Sequence, residues 1–133
     1  MTYLKPPLFV RQVFNRIALA TGISGTEKVT VTRRRSGTPQ SVPIIPVDVG
    51  GVRYLVSTRG ESEWVRNVRA TPTVDIGGKR GTVRYTATEV PVAERDPIIA
   101  AYRVKAGKTV EGYWQKLPAA TDHPVFALSE VTR

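Results

Sequence analysis

The chain has 133 residues, 41% of them apolar and 23% charged, with a formal net charge of +9. That length and balance suit one domain, residues 1–133, with a packed core. Cysteine is absent, which excludes disulfides and thiolate metal centres, and one histidine, His123, leaves no basis for a protein-built zinc site. No stretch of 18 apolar residues offers a membrane span. The N-terminal MTYLKPPLFVRQVFNRIAL is interrupted by Arg11 and Arg16, so it lacks the continuous apolar region of a secretory signal, and a cytoplasmic location is the expectation. The positive balance selects for anionic partners: nucleic acid, an anionic membrane surface or a small anionic ligand.

In chain order, Val10, Val13, Phe14 and Ile17 recur at helical spacing and predict a helix over about residues 8–20, stopped near Gly22. Glu27 to Arg34 alternates as a strand, and Ser36-Gly37-Thr38-Pro39 makes its turn. Ser41 to Val49 reads as a second strand. Its Pro43 and Pro46 cannot donate to a ladder and predict an edge or a bulge. Gly50-Gly51 then turns tightly into a strand over Val52 to Thr58. Glu61 to Ala70 predicts a short helix capped by Ser62 or Glu61, with Trp64, Val65 and Val68 on its apolar face. Thr73 to Ile76 and Arg80 to Glu89 pair around Gly77-Gly78-Lys79, Glu94 to Ala106 is helical, and Pro124 to Val131 is a closing strand. Gly107 to Thr121 is ambiguous, with Tyr113, Trp114 and Leu117 as anchors. Short antiparallel hairpins with interspersed helices predict a mainly β, α+β architecture: a small barrel with helices packed outside it.

Two stretches carry candidate chemistry. In Arg33-Arg34-Arg35-Ser36-Gly37, an extended backbone sends Arg33 and Arg35 to one face and Arg34 to the other. Guanidinium forks grip phosphate or carboxylate, and the Ser-Gly-Thr turn adds N–H and hydroxyl donors. The plain alternative is a solvated basic hairpin end. In Ser57-Thr58-Arg59-Gly60-Glu61-Ser62-Glu63-Trp64, a strand ends at a glycine turn and enters a helix whose first N–H groups suit an anion or a polarised carbonyl. Simple capping accounts for the acidic residues there, though not for Arg59. Asn67 lies one turn from Trp64, as a satisfied polar contact or a ligand contact. No Ser-His-Asp arrangement, dinucleotide fingerprint or Walker pattern is present, so any enzymatic chemistry is expected from a bound cofactor.

The combination RRRSGTPQSVPIIPV, a Gly-Gly hairpin, STRGESEWVRNVRATP and a closing HPVFAL strand resembles the deazaflavin-dependent nitroreductase family of the flavin/deazaflavin oxidoreductases, over roughly residues 8–131. The resemblance implies a split β-barrel resembling FMN-binding proteins. It also implies binding of the deazaflavin coenzyme F420 and hydride transfer from its reduced form to a small conjugated, electron-poor acceptor such as a quinone, nitroaromatic or enone. Against the family pattern Gly-Arg-Lys-Ser-Gly-x-Pro-Arg, this chain matches at Arg34, Arg35, Ser36, Gly37 and Pro39. It departs at Arg33, where a small residue is usual, and at Gln40, where a basic one is common. By resemblance, Arg33 to Gly37 and Gln40 hold the coenzyme's phosphodiester and acidic tail. Ser57, Thr58, Arg59, Gly60, Trp64 and Asn67 lie at the ring, and Val42 and Pro43 lie against the ring or its ribityl chain. Tyr102, Tyr113 and Trp114 fall where relatives carry substrate-side tyrosines; the resemblance implies a pocket wall, with a tyrosine hydroxyl able to donate a proton after hydride transfer, and core packing is the plain alternative for Trp114.

Other readings stay within reach of the same residues. Related split barrels bind FMN, FAD or haem. A nucleic-acid module would interleave aromatic residues with Arg33–Arg35, and the chain has none there. Peripheral membrane contact through the basic N-terminal segment stays open, as does the choice between monomer and homodimer.

Overall fold

The computed structural model describes residues 26–78 and 81–131; the helix expected over residues 8–20 lies outside them. Seven strands form the frame: β1 (Glu27–Thr32), β2 (Pro39–Ile44), β3 (Val47–Val49), β4 (Val52–Val56), β5 (Thr73–Gly78), β6 (Gly81–Glu89) and β7 (Val125–Glu130). Helix α1 (Glu63–Ala70) joins β4 to β5, while α2 (Asp96–Ala106) and α3 (Lys108–Lys116) lie between β6 and β7. Short 3-10 turns at Val92–Glu94 and Ala120–Asp122 flank this helical pair. The strands form one antiparallel sheet in the order β2-β1-β5-β6-β7-β4-β3.

In a flat sheet, β1 and β4 would stand about 19 Å apart, four strand spacings. Instead Arg53 of β4 reaches Glu27 of β1 at 3.5 Å. Val29 and Val31 of β1 share a core with Leu55 of β4 and Phe126 of β7. The sheet therefore curls into the split half-barrel that the sequence predicted.

Strict alternation decides what each strand buries. Leu55 and Phe126 point into the barrel with Val29, Val74 and Ile76, where Trp64, Val65 and Val68 of α1 join them. Their neighbours Val56 and Val125 point the other way, into a second core built with Ile98, Ile99 and Tyr102 of α2 and Val110 and Trp114 of α3. Strands β4 and β7 are thus buried on both faces.

Several expected boundaries change. Ser41–Val49 is two strands, because β2 ends its pairing with β1 at Ile44 and β3 begins pairing with β4 at Val47, on the opposite edge of the sheet. Pro46, without an N–H, falls in the crossing, and Pro43 lies on the edge strand β2, where its missing donor does no harm. β1 stops at Thr32 because the Arg33 N–H donates to Thr38 O at 2.9 Å and the Gly37 N–H to Arg33 O at 2.9 Å, closing a loop around the arginines. The helix expected from Glu94 begins at Asp96, after a separate 3-10 turn. The ambiguous segment after residue 107 forms α3. Gly107, at φ 73°, makes the break from α2 that a side chain would resist. Among the described residues no helix is long and apolar enough to cross a membrane.

A polar chain ties the layers together. Arg69 of α1 grips Glu89 of β6 at 2.8 and 2.7 Å and also pairs with Glu61. Buried Arg95 joins Glu89 at 3.2 Å and donates to Val90 O and Ala120 O. The Arg69 fork holds the Glu89 carboxyl below the usual carboxylate range. Because the folded value is depressed, the stabilisation from Glu89 is complete above the unfolded value, about pH 4.3, and is lost as pH falls through the folded one. Replacing Glu89 by Gln should therefore flatten the stability curve measured between about pH 5 and pH 2. Removing the Phe126 ring, fully enclosed and packed 5.8 Å from Trp64, should cost about 3–5 kcal/mol in denaturant unfolding as Phe126→Ala.

Candidate functional site

The loop Arg33–Thr38 is stiffened from within. Arg33 donates to Thr38 Oγ1 at 3.0 Å and to Pro39 O at 2.6 Å, so much of its donor capacity serves loop closure. The Ser36 hydroxyl lies 2.7 Å from that of Thr38 and accepts the Thr38 N–H at 3.3 Å. Arg34 turns toward α1. Its N–H donates to Asn67 Oδ1 at 3.1 Å, and its Nη1 reaches the same oxygen at 2.9 Å and Glu63 Oε2 at 2.9 Å. Asn67 is itself buried and donates through Nδ2 to Gln40 Oε1 at 2.8 Å. One carboxamide thus joins the arginine loop, the start of β2 and helix α1. Arg34 holds the Glu63 carboxyl below its usual range, with Arg66 and Arg35 adding positive charge around it.

The second stretch is built around Gly60, whose φ of 81° turns the end of β4 into α1. Its carbonyl accepts both the Ser57 hydroxyl at 2.6 Å and the Ser62 N–H at 2.8 Å. Thr58 and Arg59 are half-buried on the turn. Ser62 takes the capping position, but its hydroxyl makes no capping bond, and Glu61 pairs with Arg69 instead. The sequence-based expectation that either residue caps this helix is corrected accordingly. Ser62 Oγ and Glu61 Oε2 are buried with no hydrogen-bond partner among the described residues. The helix start keeps its positive N–H end free of any side-chain cap.

The remaining predicted residues lie as follows. Trp64 is only 6% exposed, in the barrel core against Phe126. Val42 is half-buried against the same core, and Pro43 is half-buried opposite Lys28. Tyr102 is buried, its ring 5.9 Å from that of Trp114, and half-buried Tyr113 packs on the same layer. Burial pushes the Tyr102 phenol up, Tyr113 reinforces this, and Arg59 opposes it. The structure therefore brings Arg34, Gln40 and Asn67 into direct contact and gathers Arg59, Tyr102 and Tyr113 into a second corner. Among the described residues no hydrogen bond joins the two groups. A cavity of about 570 Å³ lined by Val49, Tyr54, Glu89, Pro97 and Ile98, among others, holds none of these residues, so concavity alone does not mark the site. Sequence reasoning missed Glu63 as the partner of Arg34, a pairing across 29 positions that no local pattern signals.

A profile of the F420H(2)-dependent quinone reductase family matches residues 15–126. The chain belongs to this family. It is an oxidoreductase, and coenzyme F420 is its cofactor. Among solved structures it is similar to an F420-H2 dependent reductase (FDR-A), at 26% identity and TM-score 0.60, covering 80% of this chain and 95% of that one. A domain-swapped dimer is similar at 24% identity and TM-score 0.61, covering 91% and 97%. The haem storage protein HutZ from Vibrio cholerae shares the fold at 18% identity and TM-score 0.60, covering 89% of each chain. No curated protein matches the chain.

The residues present fit such a coenzyme. A loop carrying three guanidinium groups suits a polyanionic tail, while the orphaned Ser62 hydroxyl beside an uncapped helix start suits the polar edge of a ring. Removing the central carboxamide, as Asn67→Ala, leaves the Arg34 N–H without its partner. It should cost about 1–3 kcal/mol and speed hydrogen exchange through residues 33–38.

Proposed function

We propose that this protein passes a hydride from reduced coenzyme F420 to a small conjugated, electron-poor acceptor of the quinone, nitroaromatic or enone class. The observation that carries the reading is the fastening of the arginine loop to the start of α1 through Asn67 and Glu63. It joins a donor set for an anionic tail to a helix terminus for a ring in one rigid corner. The coenzyme, when bound, supplies the hydride; orientation and electrostatics fall to the protein.

In this reading Arg34, Arg35 and Ser36 bind the phosphodiester and acidic tail, with Arg33, Gly37 and Gln40 holding the loop's shape. Thr58, Arg59 and the first N–H groups of α1 face the polar end of the ring, and these preorganised dipoles stabilise the charge there without rearranging. Ser57, Gly60, Trp64 and Asn67 set the backbone and wall behind them, and Val42 and Pro43 line the ribityl side. We assign the accompanying proton to Tyr113, which is half-buried, and a wall role to Tyr102, whose phenol burial holds in its neutral form.

Titration with coenzyme F420, followed by the coenzyme's own fluorescence, should show saturable binding tighter than about 100 μM, equivalent to roughly 5.5 kcal/mol. The double variant Arg34→Ala, Arg35→Ala should keep the fold and weaken binding at least tenfold, since each charge-assisted bond contributes about 1.5–3 kcal/mol. Unchanged affinity would remove the tail assignment. Saturable binding of FMN or FAD with none of F420 would remove the coenzyme from the proposal.

A further inference from the structure

His123 is fully enclosed. Its Nδ1 lies 2.7 Å from the carbonyl oxygen of Ser57 and its Nε2 lies 2.6 Å from that of Leu117. A neutral imidazole has one N–H and one bare nitrogen, so it can donate to only one of these acceptors. The other contact would then oppose two lone pairs well inside hydrogen-bond distance. Turning the ring over does not help, because it sets C–H groups against the oxygens, and such contacts need about 3.3–3.6 Å. Only the imidazolium donates at both ends.

Two carbonyl acceptors and a stacked indole favour a cation, against the burial that withdraws water from it. Leu117 caps the C-terminal end of α3, where the helix presents its negative pole and unsatisfied carbonyls. The ring of Trp114 stacks on the imidazole at 4.1 Å and 12°, offering its π face. Opposing these, Arg103 of α2 stands 5.3 Å from the centre of the same indole, while Tyr102 of α2, 5.9 Å from it, is uncharged. Half-buried Asp122 precedes His123 in the chain, while both ring nitrogens are taken up by main-chain oxygens.

Ser57 shows what the contact does. Its N–H donates to Pro124 O at 2.9 Å, its hydroxyl to Gly60 O at 2.6 Å, and its carbonyl receives His123. Every polar group of Ser57 is thereby fixed, and its own hydroxyl is spent on the turn. The histidine also links that turn to the end of the helix that carries Tyr113 and Trp114. We propose that His123 is a positioning residue, held as an imidazolium, which locks the Ser57–Gly60 turn to the end of α3 and so sets the ring end of the coenzyme site. The inference rests on the proposed site for its functional consequence and on hydrogen-bond geometry for the protonation state.

Because the chain has a single histidine, nitrogen-15 correlation spectra of the intact protein report on this ring alone. At pH 7 both ring nitrogens should carry protons; one bare nitrogen would overturn the proposal, whatever the coenzyme does. The variant His123→Gln keeps a planar side chain but has a donor at one end only. It should speed amide exchange at Thr58–Gly60 and weaken coenzyme F420 binding at least tenfold, while His123→Lys, which keeps charge and several donors, should recover part of the loss. Wild-type exchange and affinity in the Gln variant would refute the positioning role. Wild-type protein that fails to bind F420 would instead refute the proposed function, leaving the spectra and the exchange rates to decide the role of His123.

Discussion

Burial of β4 and β7 on both faces is the constraint on which the rest of this structure depends. Each buries consecutive apolar residues, Leu55-Val56 and Val125-Phe126, and alternation sends one of each pair to each core. A sheet apolar on one side alone needs only one covering layer. Two apolar sides at the same place require curling on one side and a helical cover on the other. The barrel interior supplies the first, closed by α1, and the pair α2–α3 supplies the second. The two proposed parts of the site inherit this division: the arginine loop lies against α1, and the tyrosines lie in the outer helical layer.

Polar contacts decide what happens between the layers. The Asn67 carboxamide uses its oxygen for the backbone and side chain of Arg34 and its nitrogen for Gln40. A buried amide with one end unsatisfied would cost more than its bonds contribute, so the three segments are held in register by the penalty of separation as much as by attraction. The departures at Arg33 and Gln40 find their explanation here. Gln40 is the acceptor that Asn67 needs, and a basic side chain at that position would set donor against donor. Arg33 donates to the loop's own oxygens, replacing the flexibility of a small residue with a cross-brace.

Alternation, glycine turns and proline positions carried most of the fold in readable form, because they act within a few residues. That Pro43 sits at an edge or a bulge, and that Gly50-Gly51 makes a hairpin, followed from backbone chemistry alone, and the fold chose the edge for Pro43. What could not be read depends on tertiary neighbours. The break at Pro46 is a crossing between opposite sheet edges, which no local pattern separates from a bulge. Ser62 has a capping residue's identity and position, yet its hydroxyl bonds to nothing among the described residues, since propensity registers residue type and not the direction of a buried side chain. The candidate site was legible as two motifs. That Arg34 belongs to Glu63 and Asn67, and that His123 spans two carbonyls, required the fold.

The pairing of Arg34 with Glu63 changes how the arginine loop should be understood. Three adjacent guanidinium groups without partners would repel one another and hold the loop open. Glu63, at the first position of α1, offsets part of that charge and keeps Arg34 aligned against the helix. Both partners remain partly exposed, so the pair is screened by water and contributes little to folding. A weak, wet ion pair is easily exchanged. In the proposed site, an incoming polyanion would displace one carboxylate and meet a guanidinium already oriented by Asn67. The Asn67 bond fixes the geometry of Arg34, and the Glu63 pair offsets part of the loop's positive charge.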